Sequence, residues 1–114
     1  MPLTLQTRER NNVTIIDIKG VMCLDTVRPF REKISELISS GKRKILLNMA
    51  GVRTTDSAGI GELISAFTTV TGAQGNLKIL AFQKRVDDIL RVTKLYTVFD
   101  VHNDEDAAVR SFHD

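Results

Sequence analysis

Apolar runs of strand type alternate with segments of helical spacing along this chain. The run Ile45-Leu46-Leu47 forms the centre of a predicted strand from Lys44 to Met49. Consecutive apolar residues are typical of a strand buried on both faces, as in a parallel sheet with helices on its two sides. Alternation of strands and helices implies parallel strands joined by right-handed crossovers. The sequence therefore predicts an α/β fold.

The N-terminal segment adds an antiparallel strand. Residues 3–7 alternate between apolar and polar types, Asn11-Asn12 indicates a turn, and Val13 to Ile18 is rich in β-branched residues. This pattern is typical of a β-hairpin, and we expect Gly20 to end its second strand. The predicted sheet is therefore mixed but mostly parallel, with the antiparallel strand at an edge.

Four segments have the spacing of an amphipathic helix. The first helix is capped by Asp25 or Thr26 and ends near Gly41, and the second begins near Ser57. The apolar face of the second helix is predicted to contain Ile60, Leu63, Ile64, Phe67 and Val70. The other predicted elements are a loop at Ala50 to Asp56, a strand at Leu77 to Phe82, a third helix marked by Val86, Ile89 and Leu90, a strand at Val98 to Val101, and a final helix from Asp104 to Phe112.

The length and composition fit one globular domain, which we take to span residues 1–114. Hydrophobic residues make up 42% and charged residues 26% of the chain, as in an ordinary folded protein. No apolar run approaches the roughly 18 residues of a membrane span, and the N-terminus lacks the apolar centre of a signal peptide. The expected location is therefore the cytoplasm, without membrane insertion.

The charges and the single cysteine disfavour several kinds of ligand. Sixteen basic and fourteen acidic residues are scattered along the chain, and no basic patch interleaves with aromatic residues. Direct nucleic-acid binding is therefore not expected. Cys23 has no histidine or carboxylate near it at metal-ligand spacing, so we predict neither a metal nor a cofactor.

Two polar segments follow strands at the edge where functional groups collect in parallel sheets. Met22 to Thr26 follows the second strand, and Thr54 to Gly61 follows the central strand. The latter places hydroxyls and a carboxylate ahead of a helix whose first backbone N–H groups need acceptors. Asp56 or Ser57 is therefore interpreted either as a simple helix cap or as part of a functional site.

The block Asp56-Ser57-Ala58-Gly59-Ile60-Gly61 resembles the STAS family, the domain of sulfate transporter tails and anti-sigma factor antagonists. The resemblance runs from about Leu3 to Phe112. It implies a single STAS-type domain with a mixed sheet and about four helices. Besides the block, it rests on Gly20 and Asp25, Val52, Leu77 to Leu80, the Val86 to Leu95 helix, and Val98-Phe99 before an acidic final helix.

The family resemblance implies a phosphorylation switch. In this family the first serine of the block is phosphorylated by the partner anti-sigma factor, itself a serine kinase, and Ser57 is the matching residue. The unphosphorylated antagonist binds the anti-sigma factor and frees a sigma factor, phosphorylation releases it, and a cognate phosphatase restores it. A weak homodimer is left open. The implied partner-binding residues are Asp25, Thr54, Thr55, Asp56, Ser57, Ala58, Gly59 and Ile60.

Several residues depart from the family pattern or have two interpretations. Thr54 and Thr55 replace residues that are usually apolar, which makes Thr55 a second, weaker candidate for phosphorylation. Ala58 replaces the second serine of the block, and Asn48-Met49-Ala50 stands where many members have Asp-Leu-Ser. Gly59 and Gly61 suit either close approach of a partner or close packing of the helix on the sheet. Ile60 is interpreted as a core residue rather than a contact, and Glu62 as a favourable charge near the helix start.

The sequence does not favour an enzyme. The only histidines, His102 and His113, lie near the C-terminus, far along the chain from Ser57. Gly59-Ile60-Gly61 lacks the spacing and the lysine of a phosphate-binding loop. The alternative to a sigma factor regulator is a STAS scaffold or accessory subunit of a stress-signalling assembly or lipid-transport ABC complex. Ser57 favours the first of these functions.

Overall fold

The computed structural model describes residues 3–80, 88, 90–92, 94 and 97–113, which form one five-stranded sheet with helices on both faces. The strands lie in sequence order, with β1 antiparallel to β2 and every other pair parallel. The predicted mixed α/β architecture is therefore confirmed. The elements are β1 (Thr4–Arg10), β2 (Val13–Met22), α1 (Val27–Ser39), β3 (Lys44–Thr55), α2 (Ser57–Gly72), β4 (Asn76–Leu80), β5 (Asp100–His102) and a C-terminal helix (Glu105–Ser111).

The central strand is buried on both faces, as its apolar run predicts. Ile45 and Leu47 pack on the face that α1 and α2 cover, whereas Leu46 packs against the C-terminal helix on the opposite face. All three side chains are fully buried. Consecutive residues of a strand point to opposite faces, so the same short run supplies apolar surface to both layers of core.

Two strands extend further than the sequence patterns predict. Gly20 does not end β2, which continues to Met22, and the predicted loop from Ala50 belongs to β3 up to Thr55. The two extensions pair with each other through register shifts after Asp17 and Gly20. At the first shift a Cβ on Gly51 would lie 2.9 Å from the Ile18 carbonyl oxygen, so only glycine permits the strands to approach there.

The C-terminal half differs from the prediction in its details. β5 begins at Asp100 rather than at Val98, which lies exposed in a turn, because the ladder with β4 starts at the pair Lys78 and Asp100. Leu90 is helical and buried, as predicted for the third helix. The helix positions Val86 and Ile89 and the end of the strand predicted to reach Phe82 lie outside the described residues.

The helix ends use the predicted caps in part. Asp104 caps the C-terminal helix, since its carboxylate accepts a hydrogen bond of 2.9 Å from the Ala107 N–H. Gly41 follows α1 with a positive φ of 87°, as a helix C-terminus favours. Thr26 occupies the N-cap position of α1, but its side chain makes no capping hydrogen bond to the helix. No helix in the described part of the chain is long and apolar enough to span a membrane.

Candidate functional site

Asp56 and Ser57 have different roles at the start of α2. Asp56 is the N-cap: its carboxylate accepts a hydrogen bond of 2.9 Å from the Gly59 N–H. Ser57 is the first residue of the helix and is exposed. The cap assignment that the sequence left open therefore falls to Asp56, and the fold does not use the Ser57 hydroxyl as the cap.

The Asp56 carboxylate also joins the two polar segments of the sheet edge. Its second oxygen accepts a hydrogen bond of 3.3 Å from the Leu24 N–H in the turn after β2. The N–H groups of Gly59 and Leu24 stabilise the charged form, so the pKa of Asp56 lies below its ordinary value. The carboxylate is therefore ionised at neutral pH beside Ser57.

Gly59 allows the start of α2 to lie against the end of β2. A Cβ at this position would be 2.4 Å from the Met22 carbonyl oxygen and 2.0 Å from the Thr55 hydroxyl oxygen. Gly59 is buried, whereas Gly61 is exposed and has open space around its missing side chain. Of the two interpretations given above, close packing therefore accounts for Gly59.

The threonines before the cap lie mostly inside the molecule. Thr55 is buried, and its hydroxyl donates a hydrogen bond of 2.8 Å to the Met22 carbonyl. Thr54 is half-buried and pairs with Val21 across the β2–β3 ladder. These contacts bring the ends of β2 and β3 together and leave the Thr55 hydroxyl engaged and covered.

The other predicted site residues differ in their access to solvent. Ile60 is buried in the main core, which confirms its interpretation as a core residue, and Ala58 is half-buried. Asp25 is exposed in the turn after β2. The residue of that turn bonded to Asp56 is Leu24 rather than Asp25.

The family model of the STAS domain matches residues 4–108. The chain belongs to the STAS domain family. A search of curated protein sequences gives no significant match.

Three solved structures illustrate how this STAS domain resembles other proteins. A putative anti-sigma factor antagonist from Thermotoga maritima has a TM-score of 0.90 at 16% identity, over 96% of this chain and 95% of the other. The Bacillus cell fate determinant SpoIIAA in its phosphorylated form has a TM-score of 0.73 at 19% identity, over 95% and 98% of the two chains. The murine anion transporter Slc26a9 matches over 93% of this chain and 18% of its own, with a TM-score of 0.77 at 17% identity. At such identities the likeness concerns the fold.

The structure of this STAS domain shows two features that sequence reasoning missed. Leu24 is 73% exposed although it is a large apolar side chain. Glu62 is more than a favourable helix charge, because Arg31 of α1 donates hydrogen bonds of 2.9 and 2.8 Å to its two carboxylate oxygens. The one sequence signal for the exposure of Leu24 is its position outside the helical pattern, which begins at Val27.

The second helix of the STAS domain is exposed along part of its predicted apolar face. Leu63 and Val70 are fully buried, but Ile64 is 37% exposed, which corrects its predicted place in the core. Ile64 follows Ser57 by seven residues, so both lie on one side of α2 with Gly61 between them. An exposed stripe of Ser57, Gly61 and Ile64 therefore runs along the helix.

The histidines of the STAS domain have partners elsewhere. His102 Nε2 lies 3.1 Å from an Asp100 carboxylate oxygen on β5, and His113 Nε2 lies 2.8 Å from the Asn11 carbonyl oxygen. None of the polar contacts of these histidines involves Ser57. Across residues 3–80, 88, 90–92, 94 and 97–113, no three histidine, cysteine or carboxylate side chains cluster as metal ligands would.

Proposed function

We propose that this protein is an anti-sigma factor antagonist controlled by phosphorylation of Ser57. In its unmodified form it binds an anti-sigma factor that is a serine kinase, and a sigma factor is set free. Phosphorylation of Ser57 ends this binding, and a phosphatase restores it. The observation that carries the proposal is that Ser57 is exposed at the first position of α2 while Asp56 supplies the helix cap.

A phosphate at Ser57 is compatible with the fold. The group adds a charge of about −1.5 to −2. It would lie beside the N-terminal end of the α2 dipole, where negative charge is favoured by about 0.3–1 kcal/mol. The Ser57 side chain points into no packed layer, because the residue is exposed. Modification is therefore expected to leave the folded structure nearly unchanged.

The same phosphate is incompatible with a protein interface across Ser57. The charged Asp56 carboxylate is adjacent, and the first turn of α2, residues 57–60, contains no lysine or arginine that could pair with the phosphate. Burying that combined charge against a partner leaves it unpaired and desolvated. A loss of about 3–4 kcal/mol lowers affinity by two to three powers of ten. The switch therefore acts on binding.

The proposed partner-binding residues contribute in two ways. Asp25, Asp56 and Ser57 are exposed and offer side chains to a partner, and the half-buried Thr54 and Ala58 border them. The buried Thr55, Gly59 and Ile60 shape the surface from beneath. The burial of the Thr55 hydroxyl makes Ser57 the phosphorylated residue in this proposal. The protein acts as a cytoplasmic, non-catalytic regulator, alone or as a weak homodimer.

The decisive experiment incubates the protein with a purified serine kinase of the anti-sigma factor type and ATP, and maps phosphate by mass spectrometry. We expect phosphate on Ser57 alone and none in the Ser57→Ala variant. Phosphate on another residue, or on none, would contradict the proposal. A kinase whose gene lies next to the gene of this protein is the first candidate to test.

Binding measurements with the Ser57→Asp variant test the electrostatic step. We expect this variant to fold normally and to bind the serine kinase at least about 100-fold more weakly than wild type does, because it places a negative charge at the interface. Ser65→Asp is the matched control, since Ser65 is also exposed on α2 but lies eight residues further along. Equal binding by Ser57→Asp and wild type would refute the electrostatic account.

A STAS scaffold or transporter accessory subunit is the second candidate function. The match to part of the anion transporter Slc26a9 is the observation in its favour, since there the same fold belongs to a much longer chain. Such a subunit would bind its assembly without a serine kinase. Co-purification of a permease and an ATPase with the tagged protein, unaffected by Ser57→Asp, would favour this function.

A further inference from the structure

Leu24 exposes more apolar surface than its place in the fold explains. It is 73% exposed, and only three other large apolar side chains in the described part of the chain are exposed: Ile64, Val92 and Val98. The other members of the same turn are small or polar. The Leu24 side chain contributes no surface to either core cluster.

The backbone that carries Leu24 is held firmly in place. The Thr26 hydroxyl accepts a hydrogen bond of 2.9 Å from the Cys23 N–H and donates one of 2.7 Å to the Val21 carbonyl. The Leu24 N–H itself donates to the Asp56 carboxylate. A side chain displayed by an already ordered turn loses little conformational entropy when a partner covers it.

Leu24 also lies at the edge of the sheet that carries Ser57. Both residues are adjacent to Asp56, one through the chain and one through the hydrogen bond to its carboxylate. The exposed stripe of Ser57, Gly61 and Ile64 begins at the same point. Leu24 and the start of this stripe therefore meet at Asp56, whose exposed carboxylate is bonded to the Leu24 backbone and precedes Ser57 in the chain.

We propose that Leu24 is the apolar anchor by which this protein docks onto the serine kinase that reads Ser57. The inference rests on the proposed function, and it adds the residue that sets the affinity and partner choice. The partner surface that fits is an apolar pocket beside a polar area facing the first turn of α2. Asp56 is the positioning residue, because its carboxylate holds the Leu24 backbone next to Ser57.

This arrangement explains why one phosphate can end binding. A partner that encloses Leu24 brings its own surface onto Ser57, since both residues are linked through Asp56. The phosphate must then be desolvated for the leucine to reach its pocket. The apolar contact supplies affinity, and the state of Ser57 decides whether that contact forms.

The test measures the affinity of Leu24→Ser for the purified kinase that phosphorylates Ser57 in the experiment above. We expect the Kd to rise by about tenfold or more, since the transfer of a leucine side chain from water is lost. The KM for phosphorylation of Ser57 should rise while kcat is unchanged, because Leu24 docks the substrate and does not touch the reacting hydroxyl. Leu24→Met should restore binding to within about threefold of wild type.

Val98→Ser is the matched control. Val98 is also an exposed apolar side chain, but it precedes β5. It therefore lies at the amino ends of the parallel strands, whereas Ser57 follows the carboxyl end of β3. We expect its Kd to stay within about twofold of wild type. Both serine variants should keep the melting temperature of wild type within a few degrees, about what exposed positions tolerate.

Each outcome decides the inference. If Ser57→Asp no longer binds the kinase but Leu24→Ser binds it as tightly as wild type does, Leu24 is not the anchor and the proposed function stands. If Val98→Ser weakens binding as much as Leu24→Ser, Leu24 has no special role. If wild type neither binds nor is phosphorylated by any serine kinase of the anti-sigma factor type, the proposed function fails and the anchor fails with it.

Discussion

Gly59 and Gly61 lie two residues apart at the start of α2, yet their surroundings differ completely. Gly59 faces the carbonyl of Met22 and the hydroxyl of Thr55, and Gly61 faces open space. In sequence the two glycines flank Ile60 and have the same alternative interpretations. Only their position on the helix relative to the end of β2 separates a residue required by the fold from one that is free to vary.

Alanine at the two glycines should therefore have opposite effects on stability. We expect Gly59→Ala to lower the free energy of unfolding by about 3 kcal/mol, because its methyl group has no room between α2 and β2. Gly61→Ala should raise it by about 0.5–1 kcal/mol through helix propensity. Urea denaturation followed by circular dichroism measures both changes. A Gly59→Ala variant as stable as wild type would mean that α2 can move away from β2 at little cost.

At the scale of elements, α2 has three surfaces with different uses. Its core face carries Leu63 and Val70, one side reaches α1 through the pair Arg31 and Glu62, and the remaining side is the stripe that starts at Ser57. The stripe ends in Ile64, an apolar residue that the core does not bury. Ile64 therefore adds apolar surface to the side of α2 on which the proposed partner would lie.

A bulky side chain on that stripe should block a partner without disturbing the fold. We expect Gly61→Gln to melt at or slightly above the wild-type temperature, because glutamine has a higher helix propensity than glycine. It should weaken binding of the serine kinase by about tenfold or more, because its side chain would project into the interface. Gly72→Gln is the matched control. Gly72 also has open space around it, about 16 Å further along the same helix.

Calorimetric titration with the kinase distinguishes the two glutamine variants. The interface proposed here covers the first two turns of α2, so only the Gly61 variant should lose affinity. Unchanged binding by Gly61→Gln would exclude a partner seated on this side of the helix. Equal losses in both variants would point to a contact along the whole helix.

For the whole molecule, charged pairs connect the C-terminal helix to β1, an outer strand of the sheet. Arg8 on β1 donates hydrogen bonds to Asp17 of β2 and to Glu105 of the C-terminal helix, and Arg10 pairs with Glu105 and Asp106. The contacts with Glu105 and Asp106 join residues that are 95 to 97 positions apart. They close the second layer of core, in which Leu46 packs against Val109 and Phe112.

These pairs predict a loss of stability in acid. Hydrogen bonds from Arg8 hold the pKa values of Asp17 and Glu105 below their ordinary range, so the unfolded chain binds protons more readily than the folded protein. Their contribution is complete above about pH 5 and disappears as the pH falls through the lowered pKa values. We expect about 1 kcal/mol from the cluster, because Arg8 is 41% exposed and solvent screens the pairs.

The measurement is urea denaturation between pH 7 and pH 3 for wild type and Arg8→Gln. The variant should be less stable at pH 7 and should approach wild type as the pH falls. High salt should reduce the difference at neutral pH, since exposed pairs are screened. A difference that stays constant with pH would show that Arg8 stabilises the fold through packing of its side chain instead of its charge.

The sequence by itself determined the order of the elements, the double burial of the central strand and the place of Ser57 at the start of a helix. These features depend on local signals: the two-residue and 3.6-residue apolar periods, the cap before Ser57 and the glycines after helices. The STAS resemblance added the expectation of a phosphorylated serine, which the experiments above test. None of these conclusions requires knowing which distant residues touch.

The tertiary structure alone decided the features that depend on contacts between distant residues. β2 and β3 extend beyond their apolar patterns because Met22 and Thr55 pair across 33 residues of chain, with Gly51 allowing an irregular approach. Gly59 is required by the fold because α2 lies against β2, and Leu24 is an exposed side chain on a fixed turn because Asp56 holds its backbone. Ser57, placed by its sequence, thus acquires its surroundings only when the ends of two strands meet.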